Sequence, residues 1–312
     1  MKTLILGGAG FIGLHLTRRL LAAGQEVTIV DDFSRGKRDP ELEALGVPVI
    51  SADLTEPLTI PGNWDHVYML AAVVGVRNVE ADPARVIRIN TLALMNTLDW
   101  IQPGVKLFFA STSEAYAGGV TAGVVPVPTA EGVPLLIDDI TSPRFAYAVS
   151  KMLGEAAVVH TARAKKVPYV IGRFHNVYGP RMGADHVVPE LALRAMAKED
   201  PFRAFGQDQA RAFCYVDDAT EAMLQLMTTD AAVDEIVHIG NDEETNIGDL
   251  TALVLKMAGH DPELDRVPAP PGSVARRCPD ISKLRSLTGF EPTVSLADGV
   301  RRTFDWYAAN WK

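Results

Sequence analysis

An apolar run, Thr3-Leu4-Ile5-Leu6, passes without a break into Gly7-Gly8-Ala9-Gly10-Phe11-Ile12-Gly13. The glycines at 7, 10 and 13 are spaced G-x-x-G-x-x-G. The first allows a tight turn. The second lets backbone N–H groups approach a phosphate with no Cβ in the way, and the third lets the next helix pack close against a sheet. The pattern predicts a strand over Thr3–Leu6, a helix over about residues 11–23 with its positive end toward a pyrophosphate, and a second strand over Glu26–Val30. A glycine turn can also be purely structural, so the context decides. Here a strand precedes it, a helix follows, and the second strand ends at Asp31 and Asp32, with Asp31 18 positions beyond Gly13. An acid there suits a ribose 2′-hydroxyl and repels a 2′-phosphate, which favours NAD over NADP. Arg35, Lys37 and Arg38 pull the other way. Phe11 and Ile12 fall within the glycine loop itself.

A second motif lies far downstream, in Tyr147-Ala148-Val149-Ser150-Lys151. Residues four apart share one face of a helix. A free tyrosine has a pKa near 10. An ammonium beside it, together with the positive ring of an oxidised nicotinamide, favours the phenolate. A phenolate can take the proton of an alcohol while the carbon gives up hydride. Alone, Y-x-x-x-K describes many amphipathic helices. Following the glycine loop, it predicts hydride chemistry.

Short apolar runs at Val47–Ser51, Val67–Ala71, Val105–Ala110 and Tyr169–Gly172 read as further buried strands. Helical stretches at Glu41–Leu45 and about 83–101 lie between them. The alternation predicts a doubly wound parallel α/β sheet. Val120–Pro143, rich in Gly, Pro and Val and without a period, reads as a long loop over the site. Beyond Gly179, helices are expected over 187–198, 248–259 and 296–311. The 312 residues suffice for one large domain and a smaller lobe. We expect residues 1–178 to form the cofactor domain, with interleaved segments near 212–240, and 179–312 mainly the substrate lobe. The net charge of −9 and the lack of a basic stripe argue against nucleic-acid binding. Two cysteines suit a reducing cytoplasm, and the first strand leaves no room for a signal peptide. No apolar run approaches a membrane span. The seven histidines show no ligand spacing with the cysteines, so no metal is expected.

With these motifs in order, the chain resembles the extended short-chain dehydrogenase/reductases, in particular their nucleotide-sugar epimerases, dehydratases and decarboxylases. Gly7–Gly13 resembles the family fingerprint, and Asp31-Asp32-Phe33-Ser34 its ribose-binding strand end. Ala52-Asp53-Leu54 is similar to the adenine-contacting segment, and Met69-Leu70-Ala71-Ala72 to the strand end beneath the cofactor. Asn90 matches an asparagine of the fourth helix. Ser111-Thr112-Ser113-Glu114-Ala115-Tyr116 resembles the catalytic strand end, and Arg173-Phe174-His175-Asn176-Val177-Tyr178-Gly179-Pro180 the junction of nicotinamide and sugar. The segments Arg211–Asp218 and Arg277–Ile281 resemble substrate-lobe motifs. The resemblance implies a Rossmann-type doubly wound sheet with a smaller C-terminal substrate-binding α/β lobe, NAD, a nucleotide-sugar substrate, and a homodimer formed through helices near 83–101 and 145–164. It also implies roles. Thr112 and Tyr147 work on the C4 hydroxyl, with Lys151 lowering the Tyr147 pKa and gripping the nicotinamide ribose. Ser111 and Phe174 border the cofactor. Asn176, Arg211 and Arg277 hold the nucleotide sugar.

Family logic makes a 4-keto sugar the common intermediate and leaves the next step to the residues after Thr112. Ser113-Glu114 leans toward C5-proton chemistry, a 4,6-dehydratase or a uronate decarboxylase, with Glu114 as the C5 base and Ser113 assisting; Glu114 could instead brace the loop. A plain 4-epimerase is the alternative. A carbonyl reductase and a non-catalytic dinucleotide sensor stand further off. Arg277 could meet a uronate or a nucleotide phosphate. Ser142-Pro143-Arg144-Phe145 has a decarboxylase-like look, although Arg144 could be a solvated loop residue. His175, where an aromatic residue is common, could bond the sugar or the nicotinamide amide, or be a packed ring.

Overall fold

The computed structural model describes residues 1–269 and 273–311. Seven strands form one sheet in the order Glu235–Ile239, Tyr169–Phe174, Lys106–Thr112, His66–Met69, Lys2–Leu6, Glu26–Asp31, Val49–Ser51. Every pairing in it is parallel. Strands of this kind are covered on both faces and so read as continuous apolar runs. Successive side chains alternate between two cores: Ile5, Tyr68, Phe108 and Val170 face one, while Leu4, Leu6, Val67, Leu107 and Phe109 face the other. Helices Phe11–Ala22 and Val216–Thr228 cover the first face; Pro83–Trp100 and Phe145–Lys165 cover the second.

Two strands run two residues beyond the carboxyl ends of their apolar stretches. Lys106–Thr112 continues through Ser111 and Thr112, and Tyr169–Phe174 through Arg173 and Phe174, because these residues pair in register, Ser111 with Arg173 and Thr112 with Phe174. Backbone pairing in a central strand overrides the polar side chains. His66–Met69 stops short, and beyond its carboxyl end Leu70 and Ala71 both donate their N–H to Leu6 C=O at 2.9 Å. The short helix falls at Pro40–Glu43, starting one residue and ending two residues earlier than expected; Asp39 fixes its start by accepting from Leu42 N–H as the N-cap.

After Tyr178 the chain builds the smaller lobe from helices Val187–Met196, Ile247–Met257 and Leu296–Asn310 and short strand pairs such as Phe202–Phe205 with Leu264–Val267. It returns to the large sheet with Val216–Thr228 and Glu235–Ile239. The stretch expected as a long loop has helix Ala117–Thr121 at its start and no further helix or strand before Phe145. It is pinned by bonds from Thr129 N–H to Cys278 C=O at 2.9 Å and from Asp280 N–H to Thr129 C=O at 2.7 Å.

Lys106 fastens the returning helix. Its buried ammonium donates to the carbonyls of Leu226, Met227 and Thr229 at 3.0, 2.9 and 3.2 Å, the open end of Val216–Thr228. Lys106→Met should cost about 1–3 kcal/mol by stranding these carbonyls. Thermal unfolding should show a melting temperature lowered by several degrees; an unchanged value would contradict the assignment.

Candidate active site

A cleft of about 1460 Å³ opens at the carboxyl ends of the parallel strands, where the order reverses between Lys2–Leu6 and His66–Met69. Gly7, Gly10, Phe11, Ile12, Gly13, Asp31, Asp32, Ser34, Asp53, Leu54, Leu70, Ala71 and Ala72 line one part of it. The three glycines serve different ends. Gly7 has φ +87°, and a Cβ there would sit 2.6 Å from Ala71 N. A Cβ at Gly13 would meet Gly7 O at 2.4 Å. Gly10 has an ordinary φ of −73°, and a Cβ on it would come no nearer than 3.4 Å to its surroundings. Neither strain nor packing calls for glycine at 10; a Cβ would only fill cleft space. A helix N-terminus facing that space fits the pyrophosphate of a dinucleotide.

The two acids at the strand end divide their work. Asp31 is buried and accepts from Ala9 N–H and Phe33 N–H, both at 2.9 Å, so it braces the glycine loop. Burial raises its pKa against those bonds. Asp32 is exposed and accepts from Ser34 N–H and Oγ at 2.9 and 2.7 Å. Asp53 similarly holds Thr55 N–H at 2.8 Å. Arg35 and Lys37 line the same stretch.

Lys106–Thr112 delivers Thr112 to the cleft and turns at once into the 3₁₀ turn Ser113–Tyr116, with Thr112 Oγ1 accepting from Glu114 N–H at 3.2 Å. Tyr147 and Lys151 enter from helix Phe145–Lys165, and both line the cleft. Thr112 lies beside the Tyr147 phenol. Lys151 Nζ donates to Ala110 C=O at 2.7 Å and stands 5.8 Å from the Tyr147 ring centroid. Burial lowers the Lys151 pKa to about 8, with Glu155 opposing. Tyr147 departs from the expectation of a phenol drawn toward its anion by Lys151. Burial and then the Glu114 charge push its pKa up; Thr112 and Arg35 oppose. The ammonium is committed to a carbonyl, and in the free chain the phenol keeps its proton.

At the other end Glu114 accepts from Arg277 Nη1 at 2.8 Å and lies 3.9 Å from Arg144. Burial alone would raise its pKa, but Arg277 and Arg144 outweigh it and hold the carboxylate ionised. Ser113, Arg144, Phe174, Asn176 and Arg277 line this end. Asn176, at φ +41°, donates to Ala212 C=O at 2.9 Å. Ser111 reaches the cleft wall, but its hydroxyl donates to Glu155 at 2.5 Å.

Two of the expected contacts do not reach the cleft lining. Asn90 is buried behind it, gripping Val73 N–H at 2.7 Å and Val73 C=O at 3.2 Å, and so braces a segment that does line it. Arg211 folds back on its own strand, donating to Ala210 C=O at 2.8 Å and Gln209 Oε1 at 3.0 Å. Burial and the Arg277 charge lower its pKa to about 10. His175 is a packed ring, fully buried and outside the lining. Arg144 belongs to the cleft wall rather than to solvent. Sequence reasoning passed over Arg181, whose side chain is only 6% exposed and pairs with Asp39 at 2.8 Å, and Trp306, which donates to Glu41 at 2.7 Å. Both line the cleft from the smaller lobe. No short motif marks them, because they reach their partners only through the fold.

The family model described as "NAD dependent epimerase/dehydratase family" matches residues 3–240, and the chain belongs to that family. It is similar to the UDP-N-acetyl-alpha-D-glucosaminuronate decarboxylase of Bacillus cytotoxicus, 32% identical over 98% of this chain and 97% of the relative. Among solved structures it is similar to the UDP-glucose 4-epimerase of Thermotoga maritima, with a TM-score of 0.85 and 29% identity over the whole of both chains. It is also similar to the UDP-glucuronic acid 4-epimerase of Bacillus cereus solved with NAD, with a TM-score of 0.82 and 27% identity over 100% of this chain and 98% of that one.

The glycine geometry separates binding from folding. Gly10→Ala should leave the melting temperature of the free protein unchanged and weaken NAD binding at least tenfold. Gly13→Ala should destabilise the chain by about 1–3 kcal/mol through overpacking. Titration calorimetry and thermal unfolding read the two effects; equal loss of stability in both variants would defeat the distinction.

Proposed function

We propose that this family member is a nucleotide-sugar decarboxylase that oxidises C4 of a UDP-hexuronate, loses C6 as carbon dioxide and reduces C4 again. The observation that carries the reading is the charge at the sugar end. Two guanidiniums, Arg277 and Arg144, share the single carboxylate of Glu114. One positive charge is left over on the cleft wall, and a sugar carboxylate complements it. The decarboxylase activity of the Bacillus cytotoxicus relative supports the same choice.

When bound, NAD supplies the hydride acceptor and donor at C4 and a positively charged ring. Residues 1–178, with the returning segments near 212–240, hold it; residues 179–312 mainly hold the nucleotide sugar. Beside the positive ring of bound NAD, Tyr147 would release its own proton to solvent, and as the phenolate it takes the proton of the C4 hydroxyl, with Thr112 hydrogen-bonded to the same oxygen. Lys151 adds positive charge to the pocket, and Arg35 opposes the burial that keeps the phenol neutral. With C4 a ketone, the C6 carboxylate is β to a carbonyl. The C5–C6 bond breaks, its electron pair moves toward the C4 oxygen held by Thr112 and Tyr147, and carbon dioxide leaves. C5 then takes a proton from water, and Tyr147 returns its proton to the C4 oxygen as hydride comes back. In this sequence the electron pair at C5 comes from a C–C bond, so no C5 base is needed. Glu114, held ionised by its arginines, positions Arg277; Ser113 stands beside it to meet the departing carboxylate.

A uronate 4-epimerase is the second reading. It would use the same Tyr147, Thr112 and Lys151, and an ion-paired Glu114 that leaves C5 alone suits it as well. Helices Pro83–Trp100 and Phe145–Lys165 leave Ile87, Met95 and Leu153 exposed, a face suited to a second copy in a homodimer. Among the described residues no helix is long and apolar enough to cross a membrane. The two buried free cysteines fit work in the cytoplasm.

The purified protein with NAD should be offered UDP-glucuronate and UDP-N-acetylglucosaminuronate and its products followed by mass spectrometry. A product lighter by carbon dioxide is expected; a product of unchanged mass would replace this reading with epimerisation. Tyr147→Phe should lower turnover by at least 10²-fold, in the range of a lost general base, while NAD affinity changes little. Glu114→Gln should lower decarboxylation on the order of 10²-fold and spare reduction of the bound cofactor.

A further inference from the structure

Behind the sugar end lie three side chains that the chemistry does not use. Tyr116, His175 and His238 are 1%, 0% and 0% exposed, and none of them lines the cleft. The Tyr116 hydroxyl is 2.5 Å from His175 Nε2 and 3.5 Å from His238 Nε2. The two imidazoles stand edge to face with centroids 4.7 Å apart. His238 Nδ1 is 3.2 Å from the Asp280 carbonyl, and His175 Nδ1 has no hydrogen-bond partner.

A carbonyl can only accept, so His238 Nδ1 carries the proton and its Nε2, in a neutral ring, is an acceptor. The Tyr116 hydroxyl donates to that Nε2. Its oxygen is then free to accept, and His175 Nε2–H donates to it. This leaves His175 Nδ1 as a bare acceptor. The reverse assignment would bury an N–H with no partner, the costlier fault. We infer that Tyr116, His175 and His238 form a positioning unit for the sugar end, a one-way chain from His175 Nε2–H to the Tyr116 hydroxyl to His238 Nε2, closed by His238 Nδ1–H on Asp280.

Each member is tied to a group of the cleft. Tyr116 ends the turn that carries Glu114. His175 precedes Asn176, and Asp280 follows Arg277 by three residues. The chain therefore sets the spacing of Glu114, Asn176 and Arg277, including the 2.8 Å contact between the first and last. It works only with neutral rings, since a proton on His238 Nε2 would face the Tyr116 donor. Burial lowers the His175 pKa well below its usual value, and His238, Arg277 and Arg173 add to this. Burial likewise takes His238 to about 4, with Arg173 adding and the Asp280 carbonyl, the Asp280 charge and Glu155 opposing. The Glu131 carboxylate lies 3.9 Å from His238 Nδ1 and accepts from its backbone N–H at 2.9 Å.

Histidine-labelled protein examined by ¹⁵N–¹H NMR gives the first test and needs no substrate. At pH 6 His238 should be a neutral Nδ1–H tautomer and His175 a neutral Nε2–H tautomer, identified by loss of their signals in His238→Gln and His175→Gln. An imidazolium at either position, or the opposite tautomers, would overturn the inference. The second test rests on the decarboxylase reading. Tyr116→Phe keeps the ring and should lower kcat on the order of 10²-fold, as for a reacting geometry misplaced by about 1 Å. KM for NAD should not change. Added to Glu114→Gln, Tyr116→Phe should cost little more, because it acts through the same turn. Full additivity would reduce Tyr116 to a packing role and sink the proposal. If the wild type decarboxylates neither uronate, the functional reading fails while the tautomers still decide this one.

Discussion

The buried carboxylate of Glu155 holds the reactive half of the molecule in place. It accepts from Arg173 Nε and Nη2 at 2.9 and 2.8 Å and from Ser111 Oγ at 2.5 Å. One interaction thereby joins the strand that ends in Thr112, the next strand, and the helix that carries Tyr147. Glu155 stands four residues beyond Lys151 on that helix, and its charge opposes the burial that lowers the Lys151 pKa. Taking two charges out of water is costly, and such a pair endures because further hydrogen bonds complete it; loss of one partner strands the other at about 3–5 kcal/mol. Arg173 is completed by the Glu131 carbonyl at 2.8 Å, which brings the long loop before Phe145 into the same network.

Parallel strands impose the rest. All seven finish at one edge, so the glycine loop, the acidic pair, Thr112 and Phe174 converge although they are far apart in sequence. The smaller lobe faces that edge and is tied across it by Arg181 to Asp39, Trp306 to Glu41 and the exposed pair Arg77 to Asp185 at 2.9 Å. The exposed pair contributes little. The Arg181–Asp39 pair is better sheltered on its arginine side and joins the smaller lobe to the loop beyond Asp31 and Asp32.

Much of this was legible in the chain itself. Apolar runs of four to six residues between helical stretches define a doubly wound sheet, and the family match and the observed sheet agree with that reading. Residues tied to backbone geometry, such as Gly7 and Gly13, were readable because their neighbours dictate what they can do. Side-chain direction was not. Whether Asn90 points at a ligand or at Val73, whether Arg211 extends or folds back on Gln209, and whether Lys151 faces a phenol or Ala110 C=O depend on how the folded backbone places each partner, whether it is two residues away or 41. The same holds for His175 and His238, 63 positions apart in sequence and in ring contact in the fold.

The central claim is that one cleft removes hydride from C4, lets carbon dioxide go and gives the same hydride back. Following UDP-glucuronate deuterated at C4 through turnover tests it most directly. The account predicts a decarboxylated product with the deuterium still at C4 and no free reduced cofactor. Deuterium appearing in released cofactor, or retained in a product that keeps its carboxylate, would contradict it.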